Sequence, residues 1–397
     1  MQISQRAQSV AASMTLEIDA KAKQMKAQGL DVIGFGAGEP DFNTPAYIVQ
    51  AAKDALDAGY TRYTPASGLP ALKEAICRKL ARDNQVCYAP NQIVVSNGAK
   101  HSLYNAFYGI LEPGDEVIIP SPYWVSYPEM VRMCGGEPVF VRTREADGFK
   151  MSADQLRAAI TPRTRALVLN SPSNPCGCVY SRQDLEQIAQ IVIDNGNIWV
   201  ISDEVYEKLV YDGAQHISIA SLPGMQERTV LVNGASKTYA MTGWRLGYTA
   251  APAALTKVMS NFQSHATSNA NAMAQQAFIT ALDHDHDDVA RMFAAFAQRR
   301  EEMVRLIGQI PHVSCVPPRG AFYLMVNISG LKGKTYRAQP IADSMSLAAL
   351  LLEHEKVAVV PGVAFGDDDY VRLSYATSMD NIRNGLARFE NFCKEVQ

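Results

Sequence analysis

Between about residue 90 and residue 250 the chain alternates short apolar runs with stretches of helical period, and this alternation limits the possible folds more than any other feature. Ile93–Ser96, Glu116–Ile119, Pro138–Val141, Ala166–Asn170, Ile198–Ser202, Thr229–Val232 and Leu246–Ala250 read as strands. Several are apolar throughout rather than on alternate residues, as in a sheet covered on both faces. Between them Tyr104, Phe107, Tyr108 and Leu111 recur at helical spacing, as do Leu185, Ile188, Ala189 and Val192. Such alternation predicts an α/β fold with a mainly parallel seven-stranded sheet.

After residue 285 the rhythm changes. Arg291–Ile310 reads as a long helix, and Ala321–Val326 as a strand beyond the Pro317-Pro318 breaker. Ala342–Glu355 carries Leu347, Leu350 and Leu351 on one helical face. Val357–Val360 and Val371–Tyr375 read as short strands and Asp380–Val396 as a closing helix. A smaller α+β domain is expected here, without internal repeats, low-complexity stretches or a flexible linker.

Composition narrows the function classes. At 397 residues the chain is long for one core, at roughly 150 residues per domain. A net charge of -3, with no basic stripe interleaved with aromatics, argues against nucleic acid as a partner. No run approaches the ~18 apolar residues of a membrane span, and Met1 to Ala12 is too polar for a secretory signal. Seven cysteines, an odd number in a long chain, do not make a disulfide framework. A reducing cytoplasm is the expected location.

The chemistry concentrates in Gly234-Ala235-Ser236-Lys237-Thr238-Tyr239-Ala240-Met241-Thr242-Gly243-Trp244-Arg245-Leu246-Gly247. A turn directly after a buried strand is an unusual place for a lysine. Burial there lowers its pKa and frees the neutral amine for Schiff-base chemistry. Ser236 and Arg245 flank it, and both can hold phosphate oxygens, the arginine through a planar fork. Alone, Lys237 would pass for a solvated lysine in a polar turn. The whole string would not.

That string resembles the lysine signature of class I aminotransferases, the fold-type I pyridoxal-phosphate enzymes, and among them bacterial aspartate aminotransferases of the Ib subgroup. The resemblance runs nearly end to end, from Gly38-Glu39-Pro40-Asp41-Phe42 to Val371-Arg372-Leu373-Ser374. It implies pyridoxal 5'-phosphate held on Lys237 in a large domain over 45–289. Residues 1–44 would form a lid and join a small domain over 290–397. The implied reaction is a ping-pong transfer of nitrogen from an L-amino acid, aspartate first, to 2-oxoglutarate. Lys237 would move a proton between the substrate α-carbon and the cofactor's C4′ as general acid and base.

Further motifs gain their meaning from the resemblance. Asp203, in Ser202-Asp203-Glu204-Val205-Tyr206, ends a predicted central strand, where ligands of α/β sheets gather. It could merely cap a helix; the resemblance makes it the partner of the protonated pyridine nitrogen, which keeps the ring an electron sink. Tyr206 and Asn174, the latter in a Ser171-Pro172-Ser173-Asn174-Pro175 turn, would then bind the phenolic oxygen. Gly98, Ala99 and Lys100 open a helix after a strand, a weak motif by itself, and are implied to hold the phosphate. Trp124, otherwise an ordinary core tryptophan, would stack on the ring. Tyr63 is implied to reach the phosphate of a neighbouring subunit, hence a homodimer with shared active sites. Arg372 would fork the substrate α-carboxylate, which Asn174 also touches and Gly38 covers through its backbone.

Some residues depart from the family pattern. Cys176-Gly177-Cys178 follows Pro175 where Thr-Gly is usual, Ala270 replaces the usual proline after Asn269, and Ala11, in Ser9-Val10-Ala11-Ala12-Ser13, aligns with a lid lysine that meets a distal carboxylate. Alanine, an aromatic or prephenate-type substrate therefore stays open, as does a lyase of the same fold, which would release pyruvate with ammonia or sulfide. A silent regulatory domain would need a DNA-binding arm, for which the stretch before Gly38 is expected to be too short. Two motifs mislead. Gly34-Phe35-Gly36-Ala37-Gly38 imitates a dinucleotide turn, but Glu39-Pro40 stands where a third glycine and a helix belong. His284-Asp285-His286-Asp287-Asp288 imitates a metal cluster, yet acids before a helical stretch read better as a helix start, and no metal is expected.

Overall fold

The computed structural model describes residues 2–8, 10–284 and 287–397. Its largest sheet has the seven expected strands: β1 (Ile93–Ser96), β2 (Glu116–Ser121), β3 (Glu137–Arg142), β4 (Thr164–Asn170), β5 (Trp199–Asp203), β6 (Thr229–Gly234) and β7 (Gly247–Ala250). Their order is β1-β7-β6-β5-β4-β2-β3, parallel except for β7, which runs against both neighbours. Every residue of β1, β6 and β7 is buried, which explains why the alternation of a half-exposed strand is missing there. The helices between strands stop and start on local chemistry. Ser181 accepts from the Asp184 amide at 3.2 Å to open Arg182–Asn195, and Gly196, at φ 71°, closes it.

A four-stranded antiparallel sheet lies towards the C-terminus. Its two middle strands are β8 (Tyr323–Asn327) and β9 (Tyr370–Ser374), with Tyr323 opposite Ser374 and Met325 opposite Arg372. The expected strand over 357–360 is two strands. Val357–Ala358 pairs with Ile33–Gly34, and Val360–Pro361 turns to pair with β9, because the chain passes there from one sheet to the other. The pairing with Ile33–Gly34 also ties the N-terminal segment to this C-terminal unit, and it shows the glycine run 34–38 leading out of a strand without a helix. One core, with Phe35, Phe296, Phe322, Leu347 and Phe389, joins the two. The long helix begins at Asp287, earlier than its apolar period indicates: Asp287 and Asp288 favour its positive end, and Asp288 pairs with Arg291. Asp285 and His286 lie outside the described residues, and the His284 ring packs 4.3 Å from Tyr47. Among the described residues no helix is long and apolar enough to cross a membrane.

Candidate active site

The carboxyl ends of β4, β5 and β6 and the turn after β1 open into a cavity of about 540 Å³, whose walls include Lys237, Asp203, Asn174, Arg372, Trp124 and Arg245. Gly38, Ala99, Lys100, Tyr206 and Ser236 line it as well. Gly36 and Arg372, 336 positions apart in the chain, thus meet in one cavity.

Lys237 follows β6 by three residues, and its ammonium meets the Gly38 carbonyl. The aromatic rings of Tyr206 and Phe322 stand 5.9 and 5.8 Å from it. Burial lowers its pKa to about 8, against a smaller upward pull from Glu39. A substantial neutral fraction near pH 8 is what a nucleophilic amine needs. Gly38, whose backbone the resemblance assigns to a carboxylate, presents its carbonyl to the lysine in this structure.

Asp203 ends β5. Its Oδ2 accepts from the Tyr127 hydroxyl at 2.7 Å and its Oδ1 from the Val205 amide at 3.3 Å. Burial raises its pKa to about 6, and these hydrogen bonds only partly oppose that. A buried carboxylate of this kind is stabilised by a cation placed against it. Tyr206 shares a 2.9 Å contact between hydroxyls with Tyr323.

Helix α1 (Ala99–Ile110) starts at Gly98, which has φ 88°. A Cβ at Gly98 would strike the Arg245 guanidinium, so glycine leaves the arginine free to close over the helix start. Arg245 itself is anchored by the Thr242 carbonyl at 2.8 Å. Free amides at a helix start, an arginine and Ser236 form an anion cradle. The Lys100 ammonium lies 4.9 Å over the Trp124 ring, and burial followed by Arg245 lowers its pKa.

Arg372 is buried on β9. Its Nη1 donates to Asn174 Oδ1 at 3.0 Å and its Nη2 to the Gly36 carbonyl at 2.9 Å, while its buried Nε has no partner. The remaining donors suit a carboxylate.

Tyr63 does not join this group. It is 90% exposed and lines a separate surface hollow with Asn269. Ala11 is exposed as well, outside the cavity, its amide bonded to Glu129 at 3.2 Å; from the N-terminal helical stretch Ser13, Thr15 and Lys23 reach the cavity. Ser9 lies outside the described residues. Cys176 and Cys178 sit in a core behind the Asn174 turn, their thiol pKa values pushed up by burial, and Ala270 is core too. Tyr127 and Tyr323 are the site residues that sequence reasoning missed, since one reads as a helix-face apolar residue and the other as a strand aromatic. Behind Asp203, Glu204, Glu207 and His216 bring their ligand atoms within 4.8 Å of one another. Lys79 pairs with Glu207, and Asn84 donates to both carboxylates, so the chain's own groups close that cluster.

A lowered-pKa amine, a buried anion awaiting a ring cation and a cradle for phosphate fit one group, pyridoxal 5'-phosphate, and define a pyridoxal-phosphate enzyme of fold-type I. The chain belongs to the family of class I and II aminotransferases, whose model matches residues 30–389. It is 48% identical over 393 residues to an aspartate aminotransferase of Bacillus sp. (strain YM-2), covering 99% of each chain. To the aspartate aminotransferase of Bacillus subtilis (strain 168) it is 46% identical over 396 residues, covering all of both. The crystal structure of the aspartate aminotransferase from Rhizobium meliloti superposes with a TM-score of 0.97, at 42% identity and full coverage of both chains.

Proposed function

We propose that this aminotransferase takes its amino group from aspartate and gives it to 2-oxoglutarate, working as a cytoplasmic homodimer. The observation that carries the substrate is the excess of cations in the cavity: besides Lys237 and the Arg245 of the phosphate cradle, Arg372, Lys100 and Lys23 line it, enough for both carboxylates of a dicarboxylic amino acid, with Arg372 on one and Lys100 on the other. The names of the relatives point the same way.

When bound, pyridoxal phosphate supplies an electron sink that acidifies the substrate's α C–H bond. The chain's residues do the rest. Amides at the start of α1, with Ser236 and Arg245, bind the phosphate. Asp203 holds the ring nitrogen protonated, and Tyr127 keeps its carboxylate ionised and aimed. Tyr206 and Asn174 would donate to the phenolic oxygen and Trp124 would lie against the ring. Arg372 fixes the α-carboxylate, aligning the α C–H with Lys237, whose Nζ takes that proton. The Lys100 amide serves the phosphate and its ammonium the distal carboxylate. The 45–289 unit holds the cofactor, 1–44 and 290–397 close over it, and Tyr63, exposed on one chain, completes the partner's phosphate site.

A panel of amino donors against 2-oxoglutarate tests this. Aspartate should give the highest kcat/KM. A higher value for alanine or an aromatic donor would overturn the substrate, and release of pyruvate with ammonia would overturn the reaction class. Sedimentation at working concentration should show a dimer.

A further inference from the structure

Tyr323 opens β8, fully buried, diagonal to Arg372 on one face of the antiparallel pair. The Arg372 guanidinium carbon lies 4.4 Å from the Tyr323 ring centre and 4.9 Å from that of Phe365, so two aromatic rings flank it. Planar guanidinium groups stack on such faces, and stacking limits the rotation that hydrogen bonds to Asn174 and Gly36 leave open. The same tyrosine's hydroxyl stands 2.9 Å from that of Tyr206. Gly38 lies beside it: a Cβ there would stand in ordinary contact, 3.6 Å from the Tyr323 hydroxyl.

A hydroxyl has one proton to give. If Tyr206 donates to the cofactor's phenolic oxygen, Tyr323 is left as the donor within the tyrosine pair. Hydrogen bonds in such a chain polarise one another, which makes Tyr206 a stronger donor.

We infer that Tyr323 is a positioning residue that joins the carboxylate site to the cofactor site, its ring fixing Arg372 and its hydroxyl polarising Tyr206. The inference rests on the aminotransferase reading above, with the roles it gives Tyr206 and Arg372. Its two halves separate by substitution.

The experiment compares holoenzymes of the wild type, Tyr323→Phe and Tyr323→Leu. Two quantities are read: the pH midpoint of the cofactor's visible band, and the Kd of succinate, a dicarboxylate without an amino group. A donor to the phenolic oxygen favours the form in which that oxygen holds unshared negative charge, so a weaker donor raises the midpoint. Tyr323→Phe should bind succinate within about twofold of wild type, because the ring remains, and shift the midpoint up by about 0.3–0.7 units. Tyr323→Leu should show the same shift and bind succinate at least about fivefold more weakly, having lost the stacked ring. If Tyr323→Leu does not fold, Tyr323→Met carries the same comparison. An unmoved midpoint in Tyr323→Phe overturns the hydroxyl's role, and wild-type succinate affinity without the ring overturns the ring's. A wild-type holoenzyme with no visible band would instead overturn the aminotransferase reading, one with no response to succinate its dicarboxylate substrate, and this inference falls with either.

Discussion

The Tyr127 hydroxyl donates a 2.7 Å hydrogen bond to Oδ2 of Asp203, a buried carboxylate that makes no ion pair among the described residues. The bond restrains the side chain and stabilises its charge, yet burial dominates and lifts the pKa to about 6. This is the electrostatic arrangement of a site unfinished until a cation arrives.

A stability prediction follows for the cofactor-free protein. Unfolded, an aspartate titrates near 3.9, whereas in the fold Asp203 titrates about two units higher. The folded chain therefore binds this proton more tightly, and stability falls as pH rises from about 4 to about 6. Cofactor-free Asp203→Asn should be more stable than cofactor-free wild type at pH 8, by up to about 2–3 kcal/mol, and no more stable at pH 4. Urea unfolding at both pH values measures it. Equal differences at the two would mean that the carboxylate is solvated. With cofactor, the same variant should lose most of its activity, because an amide cannot hold the ring nitrogen protonated.

Lys237 offers a chemical readout. Its pKa of about 8 sets it apart from ordinary lysines, which titrate near 10.4. Amine-reactive labelling of the cofactor-free protein should modify Lys237 with a midpoint near pH 8, before the solvated lysines, as followed by peptide mass spectrometry. Borohydride reduction of the holoenzyme should leave the cofactor on the same residue, and Lys237→Ala should abolish the adduct. An adduct on another lysine would displace Lys237 from its role.

The large sheet was legible because its central strands are buried on both faces and so carry short continuous apolar runs, as Val230–Val232 does; the edge strand Glu137–Arg142 is largely exposed. The lysine string and the ends of β4 and β5 were legible because polar residues interrupt those runs where strand order makes a site. The positions of Ala11 and Tyr63 were not. Alignment assigns a residue to a motif, but whether Ala11 or Ser13 faces the cavity depends on how the segment crosses Glu129. Tyr127 and Tyr323 were illegible for another reason: each is a buried aromatic by every local measure, and only its neighbours in the fold make it part of the site, Tyr127 through its hydroxyl and Tyr323 through its hydroxyl and the ring against Arg372.

Arg372 makes two hydrogen bonds and keeps a buried Nε–H unpartnered, a geometry an ammonium cannot copy. Arg372→Lys should raise KM for amino donors by about 10–150-fold, the equivalent of roughly 1.5–3 kcal/mol for lost charge-assisted hydrogen bonds. Steady-state kinetics with aspartate and alanine should show the rise for both, since the α-carboxylate is common to them. A rise for aspartate alone would put Arg372 at the distal carboxylate.

Lys100 and Ala11 separate two accounts of how the side-chain carboxylate is read. Lys100 lines the cavity and holds its ammonium over Trp124, whereas Ala11 lies outside, its amide on Glu129. If Lys100 meets the distal carboxylate, Lys100→Ala should lower the ratio of kcat/KM for aspartate over alanine, with little change for alanine itself. The effect should be about fivefold, or about 1 kcal/mol, because this lysine is partly exposed, and partly exposed ion pairs are weak. It should shrink at high salt as screening grows. Ala11→Lys places its new cation next to Glu129, where the carboxylate would take it up, so the same ratio should stay within about twofold of wild type. Both variants are measured with both donors at low and high ionic strength. A ratio that rises with Ala11→Lys and is indifferent to Lys100→Ala would mean that the lid closes further over the substrate than its contact with Glu129 permits here, and that Lys100 serves the phosphate alone.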